Sequence, residues 1–138
     1  MTTVLYVDDE IGTENLTTKV EWLESRGLEV VSAEDAMAAL SVFQARSNDI
    51  DVILLDVLMP PLNRYSLEET NQGTDTGLRL LKDLRAIRPD IPVILITVKP
   101  PHLVKTAKAQ LGIEGYLYKP VLPVQILNEI SRVLGRRP

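Results

Sequence analysis

The sequence predicts an α/β fold in which a parallel five-stranded sheet lies between two layers of helices. Two observations lead to this prediction. Apolar runs of strand length alternate five times with segments in which apolar residues recur at helical spacing. The runs Val52–Leu55 and Val93–Thr97 are apolar almost without interruption, which is typical of strands that helices cover on both faces.

The elements of the first half of the chain each have their own signal. A β-prone run over residues 4–7 ends in two acidic residues, and a second strand is predicted over 29–31. Leucine and valine at helical spacing, followed by Gly27, predict a helix from about residue 13 to 25. Ser32 and Asp35 have the spacing of a capping box, which predicts a helix over 36–45.

The second half continues the alternation. Leu78, Leu81, Leu84 and Ile87 predict an amphipathic helix from Gly77 to about residue 88. Further helices are predicted over 100–111 and 124–134, on either side of a fifth strand over 115–118. Right-handed crossovers favour a flavodoxin-like, doubly wound sheet of order 2-1-3-4-5 with five helices in three α/β/α layers, although periodicity alone does not exclude other orders.

The composition excludes several classes of protein. The 138 residues predict a single domain over 1–138, and the chain contains no cysteine that could form a disulfide or act as a thiolate. Because the net charge is −4 and the basic residues are dispersed, direct nucleic-acid binding is not expected. Apolar runs are too short to cross a membrane and no signal peptide is visible, so we expect a cytoplasmic protein without membrane insertion.

Functional side chains follow the strands of this predicted sheet. Asp8 and Asp9 follow the first strand and Asp56 the third, while Thr97 ends the fourth and Lys119 follows the fifth. Since the carboxyl ends of parallel strands meet at one edge, these groups are predicted to share a crevice. Three carboxylates together need a counterion, and an all-oxygen site suits Mg²⁺. The set is what phosphoryl transfer to a carboxylate requires.

Each of these residues also has an ordinary structural interpretation. An acidic pair after a strand often begins a helix, and a threonine at a strand end often reflects β propensity alone. A Lys-Pro pair is often a surface turn. It is the occurrence of all these groups at successive strand ends that favours a functional site.

The chain resembles the receiver domain of two-component response regulators over nearly its whole length. The matching segments are V-L-Y-V-D-D-E at residues 4–10, D-V-I-L-L-D-V-L-M-P at 51–60, V-I-L-I-T at 93–97 and G-Y-L-Y-K-P at 115–120. The resemblance implies a stand-alone, chemotaxis-receiver-like signalling protein that catalyses only its own phosphorylation and dephosphorylation. A sensor histidine kinase or a histidine phosphotransferase would supply the phosphoryl group.

The resemblance also implies a role for each site residue. Asp56 would be the phosphoacceptor, and Lys119 would pair with the phosphoryl group. Thr97 and Tyr116 would form the conformational switch, and Pro120 would follow a cis peptide bond. The implied magnesium ligands are Asp9, Asp56 and the carbonyl of Leu58, with Asp8 acting mainly through bound water. A downstream protein partner would dock on the fourth helix, fifth strand and fifth helix.

The sequence departs from the family pattern at an insertion of about a dozen residues over 61–76. A tolerated surface elongation is one interpretation, because loop-closure entropy rises slowly with length. Another is that the insertion overhangs the site and gates partner docking through Arg64 and Tyr65. His102, the one histidine, is expected to be a solvated residue outside the site.

Two other functions stay open at this point. One is a Mg²⁺-dependent phosphatase-like hydrolase with Asp56 as nucleophile, although Leu58 cannot act as the general acid that such enzymes often place two residues later. The other is a scaffold that has the fold but never uses phosphorylation. Leu58 offers no side-chain hydrogen bond that could orient a hydrolytic water, and Val98 is bulkier than the small residue that the family often has beside the pocket. Both features predict a long-lived phosphoryl group.

Overall fold

The computed structural model describes residues 1–59, 65–70, 75–98 and 112–135. Within these ranges it contains five strands and four helices. In chain order they are β1 (Thr3–Val7), α1 (Glu14–Ser25), β2 (Glu29–Ala33), α2 (Ala36–Arg46), β3 (Val52–Leu55), α3 (Thr76–Ile87), β4 (Val93–Thr97), β5 (Gly115–Tyr118) and α4 (Pro123–Leu134).

The five strands form one parallel sheet in the order β2-β1-β3-β4-β5, which confirms the predicted order. Val7 pairs with both Ala33 and Leu55, so the carboxyl ends of the first three strands of the sheet are level. Thr97 pairs with Tyr118 at the same edge. The predicted helix over 100–111 lies outside the described residues, as does His102.

Two apolar cores lie on opposite faces of the sheet, as the alternation of side chains along a strand requires. Leu5, Leu55 and Leu95 point to the core that α2 and α3 cover. Tyr6 and Leu54 point to the core that α1 and α4 cover. The sheet is therefore buried on both faces, and the predicted layers are confirmed for the described helices.

Two local predictions need correction. Asp35, and not Ser32, is the N-cap of α2, because its Oδ1 accepts a hydrogen bond from the Ala38 N–H at 2.8 Å. Ser32 is a residue of β2 and pairs with Tyr6. In α3, Leu80 is fully buried although the predicted apolar stripe omitted it. A helix that lies against a broad sheet buries a wider face than the stripe of a helix pair.

The described part of the insertion is attached to α3. The hydroxyl of Tyr65 donates a hydrogen bond to Asp83 Oδ2 at 2.6 Å, and the guanidinium of Arg79 lies 5.0 Å from the centre of the Tyr65 ring. Tyr65 is only 5% exposed. The expectation that Tyr65 contacts a partner is therefore wrong, since the side chain is used inside the protein; Arg64 lies outside the described residues.

The outer edge of β5 is covered by side chains of α4. Glu129 Oε2 accepts a hydrogen bond from the backbone N–H of Tyr116 at 3.2 Å. Arg132 donates to the carbonyl oxygen of Glu114 at 3.0 Å and pairs with Glu129 at 2.7 Å. Two backbone groups at this edge, the N–H of Tyr116 and the carbonyl of Glu114, are thus paired within the chain.

Across the described ranges, no helix combines the length and the apolar character needed to cross a bilayer.

The start of α3 is packed directly against the backbone that follows β3. The N–H of Gly77 donates to the carbonyl oxygen of Val57 at 2.9 Å. A methyl group on Gly77 would collide with the carbonyl oxygen of Asp56 and lie 2.6 Å from Val57 Cα. Only glycine allows this approach of helix to strand end.

We expect Gly77→Ala to lower the free energy of unfolding by about 3 kcal/mol, because the added methyl group must push α3 away from the Asp56 backbone. Urea denaturation followed by circular dichroism measures the change. Gly135→Ala is the matched control: its φ of 66° is unfavourable for alanine, but no atom lies within 4 Å of the added group. The control should cost about 1 kcal/mol, and an equal cost for both variants would contradict the close approach.

Candidate functional site

Backbone hydrogen bonds hold three of the predicted site residues at the carboxyl edge of the sheet. The N–H of Asp8 donates to the carbonyl of Ala33 at 3.1 Å, and the N–H of Asp56 donates to the carbonyl of Val7 at 3.0 Å. The N–H of Lys119 donates to the carbonyl of Thr97 at 2.8 Å. Backbone pairing therefore continues one residue past β1, β3 and β5, and it fixes the backbone positions of Asp8, Asp56 and Lys119.

The ammonium group of Lys119 lies between two buried carboxylates. Its Nζ is 2.9 Å from Asp8 Oδ2 and 3.4 Å from Asp56 Oδ2. Asp8 is fully buried and Asp56 is 4% exposed. A buried carboxylate without a counterion is costly, so the lysine offsets part of the repulsion between the two acids. The predicted convergence of the first, third and fifth strand ends is confirmed.

The remaining oxygens of both carboxylates are oriented by backbone groups. Asp8 Oδ1 accepts a hydrogen bond from the N–H of Glu10 at 2.9 Å. Asp56 Oδ1 accepts one from the N–H of Leu58 at 3.2 Å. Each carboxylate is thus held at both oxygens, by Lys119 on one side and by the chain two residues later on the other. This arrangement leaves the two acids little rotational freedom.

Asp9 completes a group of three carboxylates. One oxygen each from Asp8, Asp9 and Asp56 lies within 4.8 Å of the others, and Asp9 is exposed to solvent. With all groups ionised, three carboxylates and Lys119 leave two negative charges in the group. Carboxylate oxygens that are partly open to water suit a hard divalent cation such as Mg²⁺, which keeps some of its own water. The donor set therefore fits the predicted ion.

Charge and burial shift the ionisation of the group. Burial is the main reason that the pKa of Asp56 rises from 3.8 to about 6; Lys119 lowers it and Asp8 raises it. Burial and the neighbouring Asp8 and Glu10 raise the pKa of Asp9. Burial alone would lower the pKa of Lys119, but its hydrogen bonds and charge contacts with Asp8 and Asp56 outweigh burial and raise it.

The other predicted site residues belong to β4 and β5. Thr97 ends β4 and is fully buried, and Tyr116 is half-buried against the core under α2 and α3. The peptide bond between Lys119 and Pro120 is cis, as predicted. The roles of Thr97 and Tyr116 as a switch, and of the Leu58 carbonyl as a ligand, stay predictions.

Tyr6 is a site residue that the sequence analysis missed. It lies two residues before Asp8, points to the face covered by α1 and α4, and is 1% exposed. Burial, and then the charges of Asp8 and Asp56, raise the pKa of its phenol. A phenol within an otherwise aliphatic strand, two residues before an acidic pair, is the signal that could have identified it.

Comparison with known proteins shows which family the chain resembles. A family model described as "Response regulator receiver domain" matches residues 4–131. The chain is 29% identical over 134 residues to the alkaline phosphatase synthesis transcriptional regulatory protein PhoP of Bacillus subtilis, which is 96% of this chain and 48% of that protein. It is 29% identical to the response regulator SaeR of Staphylococcus aureus strain USA300, covering 99% of this chain and 52% of SaeR. The chain thus spans about half the length of the curated relatives it matches.

Solved structures of response-regulator proteins share the fold of this chain. The chemotaxis protein CheY4 of Vibrio cholerae superposes with a TM-score of 0.77 at 29% identity, covering 97% of this chain and 99% of that chain. A response regulator receiver domain protein from Clostridium thermocellum also gives a TM-score of 0.77, at 26% identity, with 98% and 95% covered. The resemblance drawn from the four sequence segments is confirmed.

The raised pKa of Asp56 has a consequence for stability in metal-free protein. Because the folded state binds this proton more tightly than the unfolded chain, the contribution of Asp56 is fully present below about pH 4 and is lost as the pH rises through about 6. We expect Asp56→Asn to raise the free energy of unfolding by about 2 kcal/mol at neutral pH and by almost nothing at about pH 4.

Urea denaturation in the presence of a chelator, at both pH values, measures this effect. Asp90→Asn, which alters an exposed carboxylate, is the control and should change stability little at either pH. A gain of equal size at both pH values would contradict the raised pKa, and so would a loss at neutral pH.

Proposed function

The chain belongs to the family of response regulator receiver domains, and on that premise we propose that it accepts a phosphoryl group from a phosphohistidine on Asp56. The observation that carries the proposal is the placement of Lys119 between Asp8 and Asp56. Receiver domains are signalling proteins rather than classical enzymes. The reaction modifies the chain itself, and its result is a change of state.

Asp56 acts as the nucleophile. Its Oδ1 is held by the N–H of Leu58, and its Oδ2 lies beside Lys119. The ammonium group of Lys119 neutralises charge on the incoming phosphoryl oxygens, since it already lies 3.4 Å from the oxygen that receives the group. Burial of Asp56 limits the access of water to the acyl phosphate that forms.

In this proposal Asp9, Asp56 and the carbonyl of Leu58 would hold Mg²⁺, with Asp8 acting mainly through bound water. When bound, the ion supplies positive charge for the phosphoryl oxygens and orients the group for in-line transfer. The support from this chain is the spacing of its three carboxylates. Asp8 has a second task, because its contact with Lys119 keeps the ammonium group directed at Asp56.

The signal leaves the site through Thr97 and Tyr116. Thr97 is the last residue of the buried strand β4. Tyr116, in the neighbouring strand β5, pairs with Leu95 of β4. A phosphoryl group on Asp56 offers new hydrogen-bond acceptors to the Thr97 hydroxyl, and Tyr116 follows into the space that Thr97 leaves. In this proposal a protein partner reads the change on β5 and α4, together with the helix that the sequence predicts over residues 100–111.

Receiver domains interact with histidine kinases or phosphotransfer proteins, and we place the phosphodonor of this chain in that class. Transfer from such a donor would take place in the cytoplasm. Trp22, which packs half-buried on the core beneath α1 and carries Arg26 at 4.8 Å from its ring centre, belongs to the helix where the donor docks in this proposal.

We expect the protein to take up one phosphoryl group from acetyl phosphate in the presence of Mg²⁺, detected as a single mass increase in intact-protein mass spectrometry. Asp56→Asn should abolish the increase, and chelation of Mg²⁺ should do the same. Lys119→Ala should slow it by about 100-fold, because a charged donor to the phosphoryl oxygens is lost.

The control is Asp90→Asn, which should react at the rate of the unmodified chain because its carboxylate is exposed and pairs with Arg88 outside the site. Labelling that persists in Asp56→Asn would show that another residue is the acceptor. Labelling that proceeds at full rate in the chelator would contradict the role of the ion.

The side chain of Leu58 cannot position a hydrolytic water, so the acyl phosphate is expected to decay slowly. Leu58→Asn should shorten its half-life by roughly threefold to tenfold, because an amide can hold the attacking water by a hydrogen bond. Phosphate-affinity gel electrophoresis after removal of the donor follows the decay. A half-life in the unmodified protein shorter than in Leu58→Asn would contradict this account.

A further inference from the structure

A cleft of about 270 Å³ opens between the start of α1 and the loop from β5 to α4. Lys119 lines this cleft and also lies 3.4 Å from Asp56, so this one residue belongs to both the cleft and the phosphorylation site. Leu16 and Val121 form part of an apolar wall. Its volume exceeds what a phosphoryl group bound between Asp56 and Lys119 requires.

Tyr6 forms part of the cleft and contributes a hydroxyl group to it. The residue is 1% exposed, and among the residues the structure describes no group forms a hydrogen bond with its hydroxyl. Within the same residues, the one fully enclosed side-chain polar atom without a partner is Nε of Arg85. The Tyr6 hydroxyl is therefore not enclosed and faces the cleft. A hydroxyl that opens to the cleft is available to donate a hydrogen bond to a ligand that enters it.

The other polar groups of the cleft favour a ligand that accepts hydrogen bonds. Lys19 and Lys119 supply two positive charges, Asn15 supplies an amide, and Glu10 is the one carboxylate in the lining. Donors thus outnumber acceptors, and the wall near Leu16 suits a flat, partly apolar body. A small planar group with an acceptor atom matches both features.

We propose that the cleft binds the leaving group of the phosphodonor and that Tyr6 and Lys19 determine which donors the protein uses. This inference rests on the proposed function, since it names the donor class of the same site. The shared chemistry is a planar leaving group with an acceptor atom: the carboxylate of an acyl phosphate, or the imidazole of a phosphohistidine. Both would place the departing atom toward the Tyr6 hydroxyl.

The step balances without a further reactant. A carboxylate oxygen of Asp56 forms a bond to phosphorus while the bond from phosphorus to the leaving atom breaks, and that atom keeps the electron pair. In an acyl phosphate the leaving atom is an oxygen, and a free carboxylate results. In a phosphoimidazole it is a ring nitrogen, and neutral imidazole results because the other nitrogen retains its proton. Tyr6 donates a hydrogen bond to the departing atom and keeps its own proton.

The test compares three small donors on the intact chain with Mg²⁺: acetyl phosphate, monophosphoimidazole and phosphoramidate. The leaving group of phosphoramidate is ammonia, which is too small to occupy the cleft. For each of the two planar donors, we compare its rate of phosphorylation with the rate for phosphoramidate. Tyr6→Phe should lower the ratio for acetyl phosphate by about fivefold, and the ratio for monophosphoimidazole by a similar factor. Lys19→Gln should lower the acetyl phosphate ratio more than the monophosphoimidazole ratio, because only the carboxylate carries charge.

Lys82→Gln, on the exposed side of α3, is the matched control and should leave both ratios at the value of the unmodified chain. The urea midpoint of Tyr6→Phe should also stay unchanged, since the hydroxyl that is removed has no partner within the protein. Ratios unchanged in both Tyr6→Phe and Lys19→Gln would overturn the proposal, as would equal losses with all three donors. Failure of every donor on the unmodified chain would instead count against the proposed function itself.

Discussion

The contact of Lys119 with two buried carboxylates is the interaction on which the rest of the site depends. Asp8 and Asp56 arrive from neighbouring strands whose ends are level, so their charges meet where little water can screen them. Lys119 can lie between them only because β5 ends at the same edge as β4. The parallel register of the sheet thus determines the electrostatics of the site. A slip of one strand against its neighbour by one residue would separate the two carboxylates from Lys119.

Much of this arrangement could be predicted from the sequence because the determining signals are local. Apolar runs identified the strands, and the charged residues that end each run identified one edge of the sheet. What escaped prediction depends on tertiary packing. Tyr65 looked like a loop residue available to a partner, yet it lies against α3, and Ser32 matched a capping pattern although it belongs to β2. Tyr6 was missed because its apolar strand position concealed the direction of its hydroxyl.

The predicted insertion over 61–76 is joined to α3 by the residues that the structure describes. The chain leaves the sheet after Asp56 and returns at Gly77, whose N–H bonds back to Val57. Between these points, Tyr65 and Glu69 contact the side of α3 through Arg79 and Asp83. These contacts join the described residues 65–70 to α3. Loop length costs little once both ends are fixed in this way.

The hydrogen bonds from α4 side chains to the backbone at the outer edge of β5 have a mechanical consequence. Glu129 and Arg132 bond to the backbone on both sides of Gly115, so the last helix and the last strand are tied at main-chain level and not only through apolar packing. Sliding the helix along its axis would break these bonds or drag the strand with it. A protein that bound and displaced α4 would therefore also displace β5, and Lys119 is the residue that follows β5. Mechanical load applied at the surface reaches the charged group by a path of a few covalent bonds.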